Sequence, residues 1–249
     1  MRTLNNVYVW DVDETLGSFG TLDGIIQLFE IYIDRKLSKE EQFLMLDIFP
    51  EVLRPNIVEY LKLIKKSMKT NNQKMIIYTN NVGPNSWVDM IKNYLEFKAK
   101  RQLFDKVIRA YKIDDTIVEK DRTDYSKNYD DLLRCMNTNK INNVCFIDDQ
   151  SHDLFNSEHV DGLHIPPYYI QYEPIVISSR LLDSVFKYDI KDPEKFINFI
   201  FVNGQPRKYF NPHEILYSRL DDAILLNHLT SFVKRNNKRK LMSKTRKIY

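Results

Sequence analysis

The stretch Val7-Tyr8-Val9-Trp10-Asp11-Val12-Asp13-Glu14-Thr15-Leu16-Gly17 decides the fold of this 249-residue chain. Four β-branched or aromatic residues in a row, followed by carboxylates and then a glycine, predict a buried strand that delivers acids to its C-terminal edge. That edge is where open α/β sheets bind ligands. Taken alone, Asp-x-Asp fits a polar turn as well, so partner motifs further along the chain must decide.

Those partners follow at intervals. Leu22, Ile25, Ile26, Phe29 and Ile33 recur at helical spacing, and Ser38-Lys39-Glu40-Glu41 reads as the capping box of a second helix. Arg54-Pro55-Asn56 opens a third, with Ile57, Leu61, Ile64 and Met68 as its apolar stripe. Lys74-Met75-Ile76-Ile77-Tyr78-Thr79 repeats the opening pattern of apolar strand and polar tip, running into the turn formers Asn80-Asn81-Val82-Gly83-Pro84. A helix through Trp87, Met90, Ile91, Tyr94 and Leu95 leads to a strand at Lys106-Val107-Ile108. The charged segment Ile113 to Ser126 has room for a small β insertion, and Lys127 precedes a helix carrying Tyr129, Leu132, Leu133 and Met136. Asn143-Val144-Cys145-Phe146-Ile147 then ends in Asp148-Asp149-Gln150-Ser151-His152-Asp153, and Gly162-Leu163-His164-Ile165 is a further strand. Strands alternating with helices predict a Rossmann-like α/β fold, a parallel sheet with helices on both faces. Beyond it the chain reads as helical, with Asp192-Pro193 and Asn211-Pro212 as helix starts.

In a parallel sheet all strand tips share one edge, which gathers Asp11, Asp13, Thr79, Lys127, Asp148 and Asp149. Acids with a lysine and a hydroxyl suit phosphoryl transfer. A carboxylate nucleophile and a phosphate repel each other, so such a site calls for a hard dication with oxygen ligands, and Mg²⁺ fits. Asp11 and Asp149 are ligand candidates, Thr79 and the backbone beyond it (Asn80) can hydrogen-bond phosphate oxygens, and Lys127 offsets negative charge. Lys112 and Lys120 compete with Lys127 for that role. His152 reads as solvent-facing, and Trp10 and Trp87 as core.

In this order, Asp11-Val12-Asp13-Glu14-Thr15, the strand ending in Thr79, Lys127 and Asp148-Asp149-Gln150-Ser151-His152-Asp153 resemble the four motifs of the haloacid dehalogenase (HAD) superfamily, over residues 7 to about 170. With Leu53-Arg54-Pro55 and Ile77-Tyr78-Thr79, they look like the branch of polymerase C-terminal-domain and NLI-interacting-factor-like phosphatases; Trp10 is similar to the residue before the first aspartate in eyes-absent phosphatases. Asn56 departs from that branch's usual glycine, and Asp148-Asp149 is Asp-Asn in some of its relatives. The resemblance implies a Mg²⁺-dependent phosphatase. In it Asp11 is the nucleophile that forms an aspartyl-phosphate, and Asp13 protonates the leaving group and then activates water. It also implies that Asp11, the Asp13 carbonyl and Asp149 hold the metal, with Asp148 and Asp153 in support. The intervals between motifs leave room for a small helical lid but no full cap. An open crevice favours phosphate displayed on a macromolecule, most simply a phosphoserine, phosphothreonine or phosphotyrosine protein.

Composition sets the remaining bounds. Hydrophobic residues make up 43% of the chain, ordinary for a packed core. No apolar run approaches the roughly 18 residues of a membrane span, and Met1-Arg2-Thr3-Leu4-Asn5-Asn6 has no signal-like apolar segment, so the expected location is cytosolic or nuclear, away from membranes. Cys135 and Cys145 read as reduced buried thiols. The abundance of Asn, Ile and Lys matches AT-rich coding, as in large DNA viruses and parasites. Residues 234–249 carry eight Lys/Arg and no acid, against 29 bases and 34 acids in the rest. Such a stretch suits nucleic acid or an import receptor and raises two alternatives: a nucleic-acid-end phosphatase, or a non-catalytic binding protein that works through its basic tail. The expected organisation is a catalytic domain over 1–175 with a helical insertion at about 21–53, a helical extension over 176–233 and the basic tail.

Overall fold

The computed structural model describes residues 3–204 and 219–245; of residues 85, 219, 220 and 236–245 the backbone alone is described. The expected helix start at Asn211-Pro212, and residues 246–249 of the basic tail, lie outside the described residues. In chain order the elements are β1 (Thr3–Trp10), α1 (Phe19–Ile33), α2 (Lys39–Ile48), α3 (Ile57–Ser67), β2 (Gln73–Tyr78), α4 (Asn85–Ala99) and β3 (Lys106–Ile108). They continue as β4 (Lys112–Ile113), β5 (Thr116–Ile117), α5 (Tyr129–Cys135), β6 (Lys140–Asp148), β7 (Val160–His164), α6 (Pro174–Leu182), α7 (Pro193–Asn203) and α8 (Arg219–Thr245). No described helix is long and apolar enough to cross a membrane.

Five strands form one parallel sheet in the order β3-β2-β1-β6-β7. The chain builds outward from β1 on one side and then on the other, so the connections diverge between β1 and β6. A crevice opens at the carboxyl ends of such a pair. Register sets what stands there: Trp10 lies level with Ile77 of β2 and Ile147 of β6. Asp11, Tyr78-Thr79 and Asp148 therefore leave the sheet side by side. Strands buried on both faces are continuous apolar runs, as these are. Val7, Val9, Ile76, Tyr78, Val144 and Phe146 pack on one face with Leu132 and Cys135 of α5. On the other face Tyr8 meets Phe232 of α8 edge-on at 5.2 Å. Helices thus cover both faces, and the α/β fold is the expected one.

Two local features explain departures from expectation. Asn56, ahead of α3, has φ 58°, a left-handed conformation that asparagine tolerates better than other side-chain-bearing residues. Asparagine in place of glycine is therefore compatible with that turn. The β6 strand also starts earlier and ends one residue later than its apolar core predicts, because Asp148 still pairs with His164 of β7.

The chain divides into two compact units. The sheet unit comprises residues 3–16, 55–167 and 219–245 among those described, and a helical unit comprises 17–54 and 168–204. The helices expected as an insertion share that unit with α6 and α7 of the expected extension, whereas α8 belongs to the sheet unit. Within the helical unit Phe29 of α1 meets Phe186 at 5.1 Å and Phe196 of α7 at 6.1 Å, both edge-on. Ser38 and Glu41 form the capping box of α2. Glu51 grips both terminal nitrogens of Arg180 at 2.7 and 2.8 Å and accepts the Tyr172 hydroxyl at 3.0 Å. At Gly17, bridged to Leu53, a Cβ would lie 2.5 Å from the Val52 carbonyl oxygen, so only glycine fits.

Candidate active site

All of this site belongs to the sheet unit. The Asp11 amide still donates to the Ile147 carbonyl at 3.1 Å, and the chain then curls: Thr15 N–H donates to the Asp13 carbonyl, Leu16 N–H to Val12, and Glu14 takes φ 55°. The curl separates the two aspartates' partners. Asp11 Oδ1 accepts from Lys127 Nζ at 2.5 Å, while Asp13 Oδ2 accepts from Asn81 Nδ2 at 2.8 Å.

Lys127 is 1% exposed and bridges Asp11 to Asp148 Oδ2, the latter at 2.6 Å. Its ammonium also lies 5.9 Å from the Tyr78 ring centroid and 6.0 Å from that of Phe146, within cation–π range. Its backbone is pinned where Leu154 N–H donates to the Lys127 carbonyl at 2.8 Å. Lys112, by contrast, lies over the Tyr111 ring, and Lys120 is exposed. Next to Asp148, Asp149 exchanges two hydrogen bonds with Thr15, and its carbonyl meets His164 Nε2 at 2.6 Å.

Carboxylate crowding dominates the electrostatics. Burial raises the Asp11 carboxyl well above its usual range, with the Lys127 ammonium opposing and Asp148 adding to the rise. Asp149 is raised by burial, against the pull of its hydrogen bond from Thr15. Glu14 is pushed up to about 8, by burial and then by Asp13 and Asp149. At Lys127, burial works to lower the ammonium's pKa, but Asp11 and Asp148 outweigh it and the net shift is upward. Carboxylate oxygens of Asp11, Asp148 and Asp149 lie within 4.8 Å of one another. A cluster of hard oxygen donors whose charge exceeds that of the ammonium among them suits Mg²⁺. Those three residues would hold it.

Thr79 is buried at the tip of β2, and its hydroxyl accepts the Asn81 amide at 3.0 Å, so its own hydrogen is directed elsewhere. The Asn80 side chain turns to the neighbouring loop, donating to the Tyr125 carbonyl and accepting from Arg122. Asp153 accepts from Ser126 Oγ at 2.8 Å and is not one of the three clustered carboxylates. His152 departs from expectation: its side chain is 10% exposed, with Nε2 3.6 Å from Asp148 Oδ2. Burial, and then Lys127, lower its pKa.

Three supporting residues are invisible to motif reasoning. Arg122, 3% exposed, donates to the carbonyls of Thr79, Arg109 and Tyr125 and to Asn80 Oδ1, and stacks 4.7 Å over the Tyr78 ring. It fixes the loop beyond β2 from a segment whose composition reads as solvated. Asp131, fully buried in α5, accepts from Thr123 N and Oγ1 and from Arg134, anchoring the same segment. Asn81 connects Thr79 to Asp13.

No family model matches the chain, and neither does any curated protein. Among solved structures it is similar to the HAD domain of the effector protein Lem4 from Legionella pneumophila, determined as an inactive mutant. The two share 12% identity over 77% of this chain and 100% of that one, with a TM-score of 0.42.

Proposed function

We propose that the chain is a phosphomonoester hydrolase of the HAD type that works through an aspartyl-phosphate on Asp11. The observation that carries this reading is the buried Lys127 bridge between Asp11 and Asp148, with Asp149 beside them at the divergence of the sheet. Two like charges held in a crevice gain a binding module nothing, whereas they equip a site for anionic chemistry.

In the first step a carboxylate oxygen of Asp11 bonds to phosphorus as the phosphorus–leaving-group bond breaks. The electron pair goes to the leaving oxygen, which takes a proton from Asp13. In the second, water loses a proton to Asp13 and attacks phosphorus, and the bond to Asp11 breaks, regenerating its carboxylate. Lys127 has three N–H donors, two of them used on Asp11 and Asp148, and offers the third to the phosphate. Thr79 and the backbone at Asn80 complete the phosphate seat. Asp11, Asp148 and Asp149, with the Asp13 carbonyl, would hold Mg²⁺, which when bound would supply the positive charge that lets a carboxylate approach a phosphate. We assign the chain to the polymerase C-terminal-domain-like branch, and its substrate to a phosphoprotein.

A nucleic-acid end is the second reading, favoured by the basic stretch from Lys234. Its side chains are described only as far as Arg235, which pairs with Asp161. The deciding experiment is a panel of phosphoserine, phosphothreonine and phosphotyrosine peptides, end-phosphorylated oligonucleotides and sugar phosphates, with and without Mg²⁺. Phosphate release from peptides only when Mg²⁺ is present is the expected result. Release from oligonucleotides alone selects the second reading, and release from none of them overturns phosphatase activity.

A further inference from the structure

We propose that Asn81 is a positioning residue that aims the Asp13 carboxyl at the leaving group and links it to the phosphate seat at Thr79. The inference rests on the phosphatase reading above. Three polar groups of Asn81 are engaged here: its amide N–H donates to Thr79 Oγ1 at 3.0 Å, its Oδ1 accepts the Gly83 amide at 2.9 Å, and its Nδ2 donates to Asp13 Oδ2 at 2.8 Å.

The Gly83 bond settles which way the side-chain amide faces. A backbone N–H can only donate, so the atom it meets is the oxygen, and the nitrogen must face Asp13. Gly83 is part of this arrangement, since a Cβ there would lie 2.9 Å from Asn81 Oδ1. An NH₂ group cannot take a proton. Oδ2 of Asp13 is therefore occupied by a donor, and the acid–base proton travels on Oδ1. Because the same residue bonds to Thr79, the angle between the acid and the phosphate-binding hydroxyl is set within one short loop. Proton transfer by a positioned side chain contributes roughly 10²–10⁴-fold to rate, and most of that depends on aim.

The test compares Asn81→Asp and Asn81→Ala with the unsubstituted full chain in Mg²⁺, with a thermal melt of each. The aspartate has the same shape and keeps an acceptor for Gly83, but turns a second carboxylate oxygen on Asp13 in place of a donor. Each is assayed on phenyl phosphate, whose leaving group needs a proton, and on 2,4-dinitrophenyl phosphate, whose leaving group does not. The readout is kcat/KM, which covers the steps up to phosphoenzyme formation and leaves out the water-activating role of Asp13. Both variants are expected to lose about tenfold or more on phenyl phosphate and less than about threefold on the dinitrophenyl ester. Equal losses on the two substrates, or an Asn81→Asp variant that matches the unsubstituted chain on both, overturn the proposal. If those results coincide with an Asp13→Asn variant that does show the leaving-group split, the phosphatase reading stands and the role of Asn81 falls. If the unsubstituted chain hydrolyses neither ester, the phosphatase reading itself falls.

Discussion

Thr15 and Asp149, 134 positions apart, exchange two hydrogen bonds: the threonine hydroxyl donates to Asp149 Oδ1 at 3.0 Å and accepts the aspartate's own amide at 3.1 Å. Thr15 is fully buried, so nothing replaces these bonds when the hydroxyl is lost. Thr15→Val, which keeps the shape, is expected to cost about 1–3 kcal/mol, read from denaturant melts. It should also weaken Mg²⁺ binding about tenfold or more in a calorimetric titration, since partners that orient a ligand carry that much.

The three acids at and beyond the end of β6 are expected to separate in the same titration. Asp149→Ala and Asp148→Ala should each weaken Mg²⁺ binding, because both carboxylates reach the cluster with Asp11. Asp148→Ala should in addition lower turnover at saturating Mg²⁺, because it releases one side of Lys127. Asp153→Ala should change Mg²⁺ binding little, since its carboxylate is taken by Ser126. An Asp153 effect as large as that of Asp149 would mean that the ligand set is misassigned.

Asp11→Asn is expected to fold normally and to lower turnover of an aryl phosphate by about 10³-fold or more, the consequence of losing a covalent nucleophile. Activity above about a tenth of the unsubstituted chain would remove Asp11 from that role. A thermal melt run beside the assay separates loss of chemistry from loss of fold.

Glu51, in the helical unit, gives a pH-dependent stability term of its own. Its hydrogen bonds with Arg180, with smaller help from Tyr172, pull its carboxyl down to about 2 from an ordinary 4.5. A depressed acid stabilises the fold above its unfolded pKa and loses that contribution as pH falls through the folded value. Glu51→Gln should therefore be less stable at pH 7, with the gap narrowing from about pH 4.5 downward and closing near pH 2. The side chain is 44% exposed, so the gap at pH 7 should be only about 0.5–1 kcal/mol. Denaturant midpoints across that range check both sign and size.

Removing residues 236–249 takes away six of the eight clustered bases but keeps Arg235 on Asp161 and Phe232 against Tyr8. Aryl-phosphate hydrolysis should be unchanged, and oligonucleotide binding should weaken and lose most of its salt dependence. Binding that survives the deletion would place any nucleic-acid contact outside residues 236–249.

The strands and their parallel arrangement were legible because each is an apolar run ending in a polar tip, and a parallel sheet brings every tip to one edge; their order in the sheet was not, because an apolar run does not name its neighbour. Lys127 was legible as a candidate, but its preference over Lys112 and Lys120 lies in burial, which spacing does not encode. Arg122 and Asn81 were not legible. One sits in a charged segment and the other in a run of turn formers, and their value lies in partners tens of positions away. His152 was misread because a histidine among aspartates after a strand looks solvated, whereas the helical turn Asp153–Asn156 just beyond it is tied to Lys127 through Leu154 and the imidazole lies against Asp148. Asn56 shows the reverse case, a departure from a motif that becomes ordinary once its φ is known.

The central position of β1 also sets a timetable for the nascent chain. Its partner β2 ends at Tyr78, and the other flank, β6, ends only at Asp148. At roughly 5–20 residues per second, ribosomes need on the order of ten seconds between the two edges, during which Val7 to Trp10 carry an unpaired, strongly apolar margin. A pairing so distant in sequence also slows closure once both strands exist. The segment that ends at Asp11 is thus the one most exposed to chaperones and to misassembly during translation.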